Sequence, residues 1–257
     1  MSTGVLVAAV VAVVVLQLAT WLLSLRVHDV SWVDITWGLC FVAVAWTSLA
    51  TGDGDGSRAL LMAVLVTIWG LRLAVHLAAR KLAHPGEDPR YRAMRDRHEH
   101  FGLVSLGLVF GLQGVLALVV SLPLMANAGA DDGLGVLAWI GVVLWAVGTT
   151  FEAVGDEQLR RFQADPDHGD VLDTGLWRFT RHPNYFGEFC LWWGLYLVAL
   201  DGGAWWTIVA PVVMTLLVTR VSGVAHQERT STKKAARRDY IERTSAFFPR
   251  PPRGSSR

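Results

Sequence analysis

The chain has 257 residues, 53% of them hydrophobic and 18% charged, and a formal net charge of +1. Ordinary soluble domains carry about 25% charged residues, so a typical soluble enzyme is excluded, and a net charge this small removes any global case for nucleic-acid binding. The two cysteines, Cys40 and Cys190, lie in separate apolar runs with no disulfide or metal spacing and read as small core residues.

In chain order, apolar helices are expected near 4–23, 34–50, 59–79, 102–124, 134–154, 187–200 and 203–222, against the roughly 20 residues that cross a bilayer. The first lacks a cationic leader and a small-residue cleavage site, so it reads as a retained anchor. The twelve tryptophans suit an interfacial aromatic belt. The expected fold is all-α: a polytopic membrane helix bundle of about seven spans, forming a single integral membrane domain over 1–257. Within it, 1–100 forms the substrate side, 101–250 the cofactor side, and 251–257 a disordered tail.

Charge sets the expected orientation. Arg80, Lys81, Arg90, Arg92, Arg95 and Arg97 follow the third helix, Arg160, Arg161, Arg178 and Arg181 follow the fifth, and the tail from Arg220 is rich in Lys and Arg. The opposite loops, TGDGDGS, MANAGADDG and DGG, hold none, although Arg58 borders the first. Cationic loops stay in the cytoplasm, which predicts an outside N-terminus, a cytoplasmic C-terminus and all polar chemistry on the cytoplasmic face.

Three constellations are more polar than spanning requires, and ionisable groups at membrane depth are functional candidates by default. In GLWRFTRHPNYFGE, Pro183 is suited to open a helix, leaving Asn184 and Tyr185 in its first turn with Arg178, Arg181 and His182 nearby as an anion site. Glu188 falls on the same helix face as Asn184. In GDEQLRRF, Asp156 and Arg160 stand four apart, as a surface ion pair or as groups for ribose and phosphate. In EDPRYRAMRDRH, Tyr91 is a candidate proton donor and Glu87–Asp88 a candidate acid pair. Arg72 lies too deep in the third helix to snorkel comfortably, so it should face a polar cavity or a carboxylate, for which Asp34 and Glu87 are candidates. No phosphate-loop, dinucleotide-fingerprint, zinc-protease or serine-hydrolase motif occurs, and His182, His226 and Glu228 have no standard metal spacing.

The D-x-Q at Asp156–Gln158, the GLWRFTRHPNYFGE segment, the following WWG and the closing Y-x-x-R-T-S-A-F-F-P resemble the membrane superfamily of steroid 5α-reductases and isoprenylcysteine carboxyl methyltransferases. The resemblance is closest to its bacterial branch of uncharacterised reductase-like proteins. It covers the chain in outline and is specific from Asp156 to Gly194. It implies a cytosolic cofactor pocket over the last helices and a lipophilic substrate entering from the bilayer, with residence in a bacterial-type inner membrane. Methyltransferases of this scaffold carry a Glu-Glu pair where this chain has Gln227–Glu228. The PNYFGE form resembles the reductases, and so implies NADPH rather than S-adenosylmethionine.

Carried over, Asn184 would lie by the nicotinamide with Tyr185 beside it, and Glu188 would help hold the cofactor. Asp156 and Arg160 would take the adenosine end, and Arg178, Arg181, His226 and Tyr240 the phosphates. His182 belongs to the same segment. Steroid reductases also carry a Gln-Glu pair on the second helix, where this chain offers only Asp34. The expected function is NADPH-dependent reduction of a conjugated C=C bond in a lipophilic, enone-type substrate, with Tyr91 and Asp34 as catalytic acids. The alternative is an S-adenosylmethionine-dependent membrane methyltransferase. Membrane lipids are the expected surroundings, with neither nucleic acid nor metal as partner.

Overall fold

The computed structural model describes residues 1–53, 56–128, 133–221 and 235–252 and is helical, with no β-strand among the described residues. The helices are α1 Thr3–Val27, α2 Trp32–Thr51, α3 Ser57–Ala83 and the short α4 Pro89–Arg95; then α5 Phe101–Val120, α6 Leu122–Ala126, α7 Val136–Ala164, α8 Pro183–Asp201, α9 Trp205–Arg220 and α10 Ala235–Arg243. Five of them, α1, α2, α3, α5 and α7, are long and apolar enough to cross a membrane. The sixth and seventh expected segments are helical, as α8 and α9, but are not among those five. The predicted 102–124 helix breaks at Val120, because Pro123 cannot supply an amide to a continuing helix and instead sits in the first turn of α6. The predicted 134–154 helix runs on to Ala164, which puts Asp156, Glu157 and Arg160 on helix rather than loop.

The chain divides into two compact units, one of Met1–Gly135 with Ala199–Thr207, the other of Val136–Val198 with Ile208–Arg257. In the first unit α2 packs between α1 and α3. The helices α2 and α3 meet at Gly38 and Gly70, where a Cβ on either glycine would lie 2.7 Å from the other's carbonyl oxygen. Small residues permit this backbone approach, which supplies packing energy that lipid cannot. Along α1, Val7, Val11, Val14, Val15, Leu18 and Leu22 are exposed, an apolar face that suits hydrocarbon and not water.

Arg58 is fully buried, pairs with Asp201 at 2.9 Å and donates to the Gly133 carbonyl at 2.7 Å. The arginine that interrupts the charge asymmetry of the loops is therefore a neutralised internal group rather than a loop cation. Of the two carboxylates that were candidate partners for Arg72, Asp34 is taken by Arg90 and Glu87 by Arg95. Helix α4 folds back over the α1–α2 turn, and this brings its own arginines closer than Arg72 to both carboxylates.

In the second unit α7 and α8 run antiparallel with their backbones in contact. Gly141, Gly148 and Gly155 are spaced by seven, as are Gly187 and Gly194. A Cβ on Gly141 would sit 2.5 Å from the Gly194 carbonyl oxygen, and one on Gly148 would sit 2.5 Å from that of Gly187. A Cβ on Gly155 would press on Pro183 at 3.0 Å. The end of α7 is thereby clamped to the start of α8.

Candidate functional site

That clamp builds the first polar cluster. Asn184, in the first turn of α8, donates through Nδ2 to Asp156 Oδ1 at 3.3 Å and accepts the Tyr185 amide at 3.0 Å. Asp156 is buried although it lies on the polar end of α7. Arg160, the residue expected to pair with it, is exposed and forms an ion pair with Glu157 at 2.7 Å instead. Glu157 is three residues away at the helix surface, whereas Asp156 points to α8.

The loop after α7 returns to the same place. The Leu176 amide donates to Gln158 Oε1 and the Trp177 indole to the Gly155 carbonyl, each at 3.0 Å. Gly175 adopts a positive φ of 58° against Gln158, a conformation that a side chain disfavours. Gln158 and Trp177 are organising residues to which the sequence assigned no role, although they lie in the GDEQLRRF and GLWRFTRHPNYFGE segments. Glu152, one turn before Asp156 and buried, was also missed. The signal was its spacing from Gly155 and Asp156.

The chain's C-terminal segment closes this unit. Thr180 Oγ1 donates to the Phe247 carbonyl at 2.8 Å, the Arg181 amide to Ser245 at 2.9 Å, and the Arg250 amide to Phe179 at 2.9 Å. Phe247 and Phe248 pack edge-on against Phe186 and Phe189 of α8 at 5.7–6.1 Å.

Two of the expected phosphate ligands have structural duties in that closure. Tyr240 is buried and donates to the Trp177 carbonyl at 2.6 Å, and Arg181 Nη1 donates to Ile241 at 3.0 Å. Arg178 is exposed on its single-turn helix, Glu188 is partly buried on α8, and His226, with Gln227 and Glu228, lies outside the described residues.

His182 stacks on Tyr185, with ring centroids 5.4 Å apart, and is buried. Desolvation, reinforced by the charges of Arg181 and Arg237, pushes its pKa down from 6.5 to about 4. It is thus a neutral ring at pH 7 and brings no cation to the anion site expected there. The unfolded chain binds this proton below about 6.5 and the folded chain only below about 4. Stability is therefore complete above 6.5 and falls on acidification, by about 3 kcal/mol across that window. Melting temperatures between pH 7 and 4 should show this loss, and His182→Phe should flatten it; an unchanged slope in the variant would assign the effect elsewhere.

The second cluster belongs to the first unit. Asp88 caps α4 by accepting the Arg90 amide, Pro89 opens the helix, and the Asp88 amide donates to Ser31 Oγ at 2.7 Å. Glu87 accepts the Val30 amide at 3.0 Å and is gripped by both arms of Arg95, while Lys81 pairs with Asp29. These ties press α4 onto the α1–α2 turn. The Tyr91 ring joins a core with Val30, Val33, Phe101, Val109 and Phe110.

The Tyr91 hydroxyl donates to Asp34 Oδ1 at 2.7 Å, and Arg90 holds Asp34 Oδ2 at 2.9 Å. The two residues singled out as acids from the sequence are thus bonded to each other. Burial, followed by the Asp34 charge, raises the Tyr91 pKa above its ordinary 10 and keeps the phenol protonated. Burial opposes ionisation of Glu87 and Asp88, but hydrogen bonds from Arg95 and Arg90 outweigh it and hold both below the usual carboxylate range. The expected Glu87–Asp88 acid pair is therefore two ionised structural anchors, not a proton source.

No group of three or more His, Cys, Asp or Glu side chains fit to hold a metal occurs among the described residues. Over residues 20–245 the chain matches the family described as protein of unknown function DUF1295, which falls within the steroid 5α-reductase-like superfamily in general. It is 25% identical over 264 aligned positions to an uncharacterised protein of Schizosaccharomyces pombe, covering 90% of this chain and 75% of that one. No solved structure matches it significantly. With most of its length inside the family's bounds, the chain belongs to the DUF1295 family.

Proposed function

We propose that this protein is a membrane-embedded, NADPH-dependent reductase of a conjugated C=C bond in a lipophilic substrate. The observation that carries the reading is the Tyr91–Asp34 hydrogen bond at 2.7 Å, a protonated phenol kept in an apolar surround beside a carboxylate. Reduction of an enone needs such an acid where enolate charge develops. Methyl transfer from S-adenosylmethionine, the alternative, would leave the pair without a task.

The residues of the second unit fit a dinucleotide. Asp156 offers a carboxylate to ribose hydroxyls, Asn184 a carboxamide to a matching amide edge, and the α8 N-terminus with Arg178 and Arg181 an electropositive setting for phosphate. When bound, the cofactor supplies a hydride to the β-carbon. Electron density then moves from the C=C bond to the carbonyl oxygen, to which Tyr91 turns its single hydroxyl proton in place of Asp34, and a proton from water completes the α-carbon. Asp34 has a side chain 21% exposed and links the buried phenol to water for reprotonation. The cation bias of the loops supports seven spans, an outside N-terminus and a cytoplasmic cofactor face in a bacterial-type inner membrane.

Titrating the detergent-purified protein with NADPH, NADH and S-adenosylmethionine while following its melting temperature tests the proposal, since a ligand of the folded form stabilises it with concentration. At a hundred times its Kd, NADPH should add about 2.7 kcal/mol. Asn184→Ala should weaken that binding at least about tenfold, the loss expected for a hydrogen bond to a desolvated group. Stabilisation by S-adenosylmethionine alone would overturn the reductase reading.

A further inference from the structure

Beside Tyr91 lies a group that takes no part in the proposed reduction. Within α5, Leu106–Gly111 form a π-helical turn, and Gln113 stands two residues after it. A π turn inserts one extra residue, which rotates everything after it by about 100° around the helix axis. Here the rotated residue is Gln113, whose Nε2 lies 3.4 Å from the Tyr91 hydroxyl oxygen. Its Oε1 is buried and accepts no hydrogen bond.

A second such oxygen sits at the same level. Gln17 of α1 is buried, its Nε2 donates to Cys40 Sγ at 3.6 Å, and its Oε1 is also without a donor. A Cβ at Gly114 would lie 3.5 Å from Gln17 Cγ, so the two glutamines flank one α1–α5 contact. Buried carboxamide oxygens without a donor are costly, and two at one contact in an apolar bundle call for a function.

We propose that Gln113 Oε1 accepts a hydrogen bond from a hydroxyl carried next to the carbonyl of the lipophilic substrate, which makes the substrate class a hydroxy-enone rather than a bare enone. The inference rests on the reading of Tyr91 as the group that meets the carbonyl. Amide N and O atoms are about 2.2 Å apart, so Gln113 Oε1 lies within roughly 6 Å of the Tyr91 oxygen. A hydroxyl one or two bonds from a carbonyl held by Tyr91 spans that distance; one at the far end of a long lipid does not. Tyr91 thus donates to the carbonyl, Gln113 accepts from its neighbour, and the pair reads donor and acceptor side by side.

The test uses two probes, a dodecyl-tailed hydroxy-enone and its O-methyl ether, titrated into the detergent-purified full chain without cofactor while the melting temperature is followed. The wild-type protein should bind the hydroxy-enone about tenfold more tightly than the ether. Gln113→Leu should remove the preference and leave affinity for the ether within about twofold. Gln113→Met, closer in shape, provides a second variant should the first fail to fold. Equal binding of the two probes, binding of neither, or a preference that survives in the variants overturns the proposal. If NADPH fails to stabilise the protein while the preference holds, the reductase reading falls and the Gln113 assignment stands.

Discussion

Replacing Gly148 with leucine is expected to leave little folded protein in detergent extracts. A Cβ at that position would sit 2.5 Å from both the Gly187 carbonyl oxygen and the Leu191 amide nitrogen. Both are backbone atoms of a long helix and cannot rotate away, so the two helices must part along their length. Even Gly148→Ala should cost about 3 kcal/mol, the upper end for overpacking in a tight interior. The cost extends to chemistry, because the Gly148–Gly187 contact holds the end of α7 against the first turn of α8, where Asp156 meets Asn184. Melting temperatures of Gly148→Ala and Gly107→Ala form the comparison, since a Cβ at Gly107 meets nothing within 4 Å. Equal melting temperatures for the two variants would show that close helix contact is not what holds this unit together.

Tyr91→Phe is expected to bind NADPH as the wild type does and to lose turnover of an enone probe by about 10²–10⁴-fold, the usual range for removing a general acid. The ring remains to fill its core with Val30, Val33 and Phe101, so only the hydroxyl and its bond to Asp34 are removed. Asp34→Asn should also keep cofactor binding and lose turnover, because the phenol then lacks its link to water. The pH dependence has a definite sign. The folded-state pKa of Tyr91 lies above its ordinary value, so the stability it adds is complete below about pH 10 and is lost only as pH rises through the higher folded value. The alkaline limb of the turnover profile should therefore fall above 10 in the wild type. Full turnover in Tyr91→Phe would remove this residue from the reaction.

The helical class, the membrane habitat and the polar character of two segments were all legible from periodicity and composition. So was the helix opening at Pro183 with Asn184 in its first turn, because proline and the residues after it act locally. Asp34 and Tyr91 were nominated separately, each as a polar group in an apolar neighbourhood.

Pairing was not legible. Asp156 and Arg160 have the spacing of an ion pair, yet α8 approaches closely enough for Asn184 to take Asp156 and leave Arg160 to Glu157. Tyr240 and Arg181 were expected at phosphates, but the return of the C-terminal segment commits them to backbone carbonyls. The charge of His182 likewise depends on burial by residues distant in the chain.

The sequence by itself determined where apolar helices form and which polar residues stand at their ends, because hydrophobic run length and capping chemistry act over a few residues. Only the tertiary structure decided that Tyr91 donates to Asp34, that Glu87 and Asp88 are held as anions, and that a π turn aims Gln113 at the phenol. Those outcomes depend on which helix backbones can approach one another. In the first unit that is set by Gly38 and Gly70, where α2 meets α3, and by the folding of α4 onto the α1–α2 turn, and in the second unit by the glycines that bring α7 and α8 together.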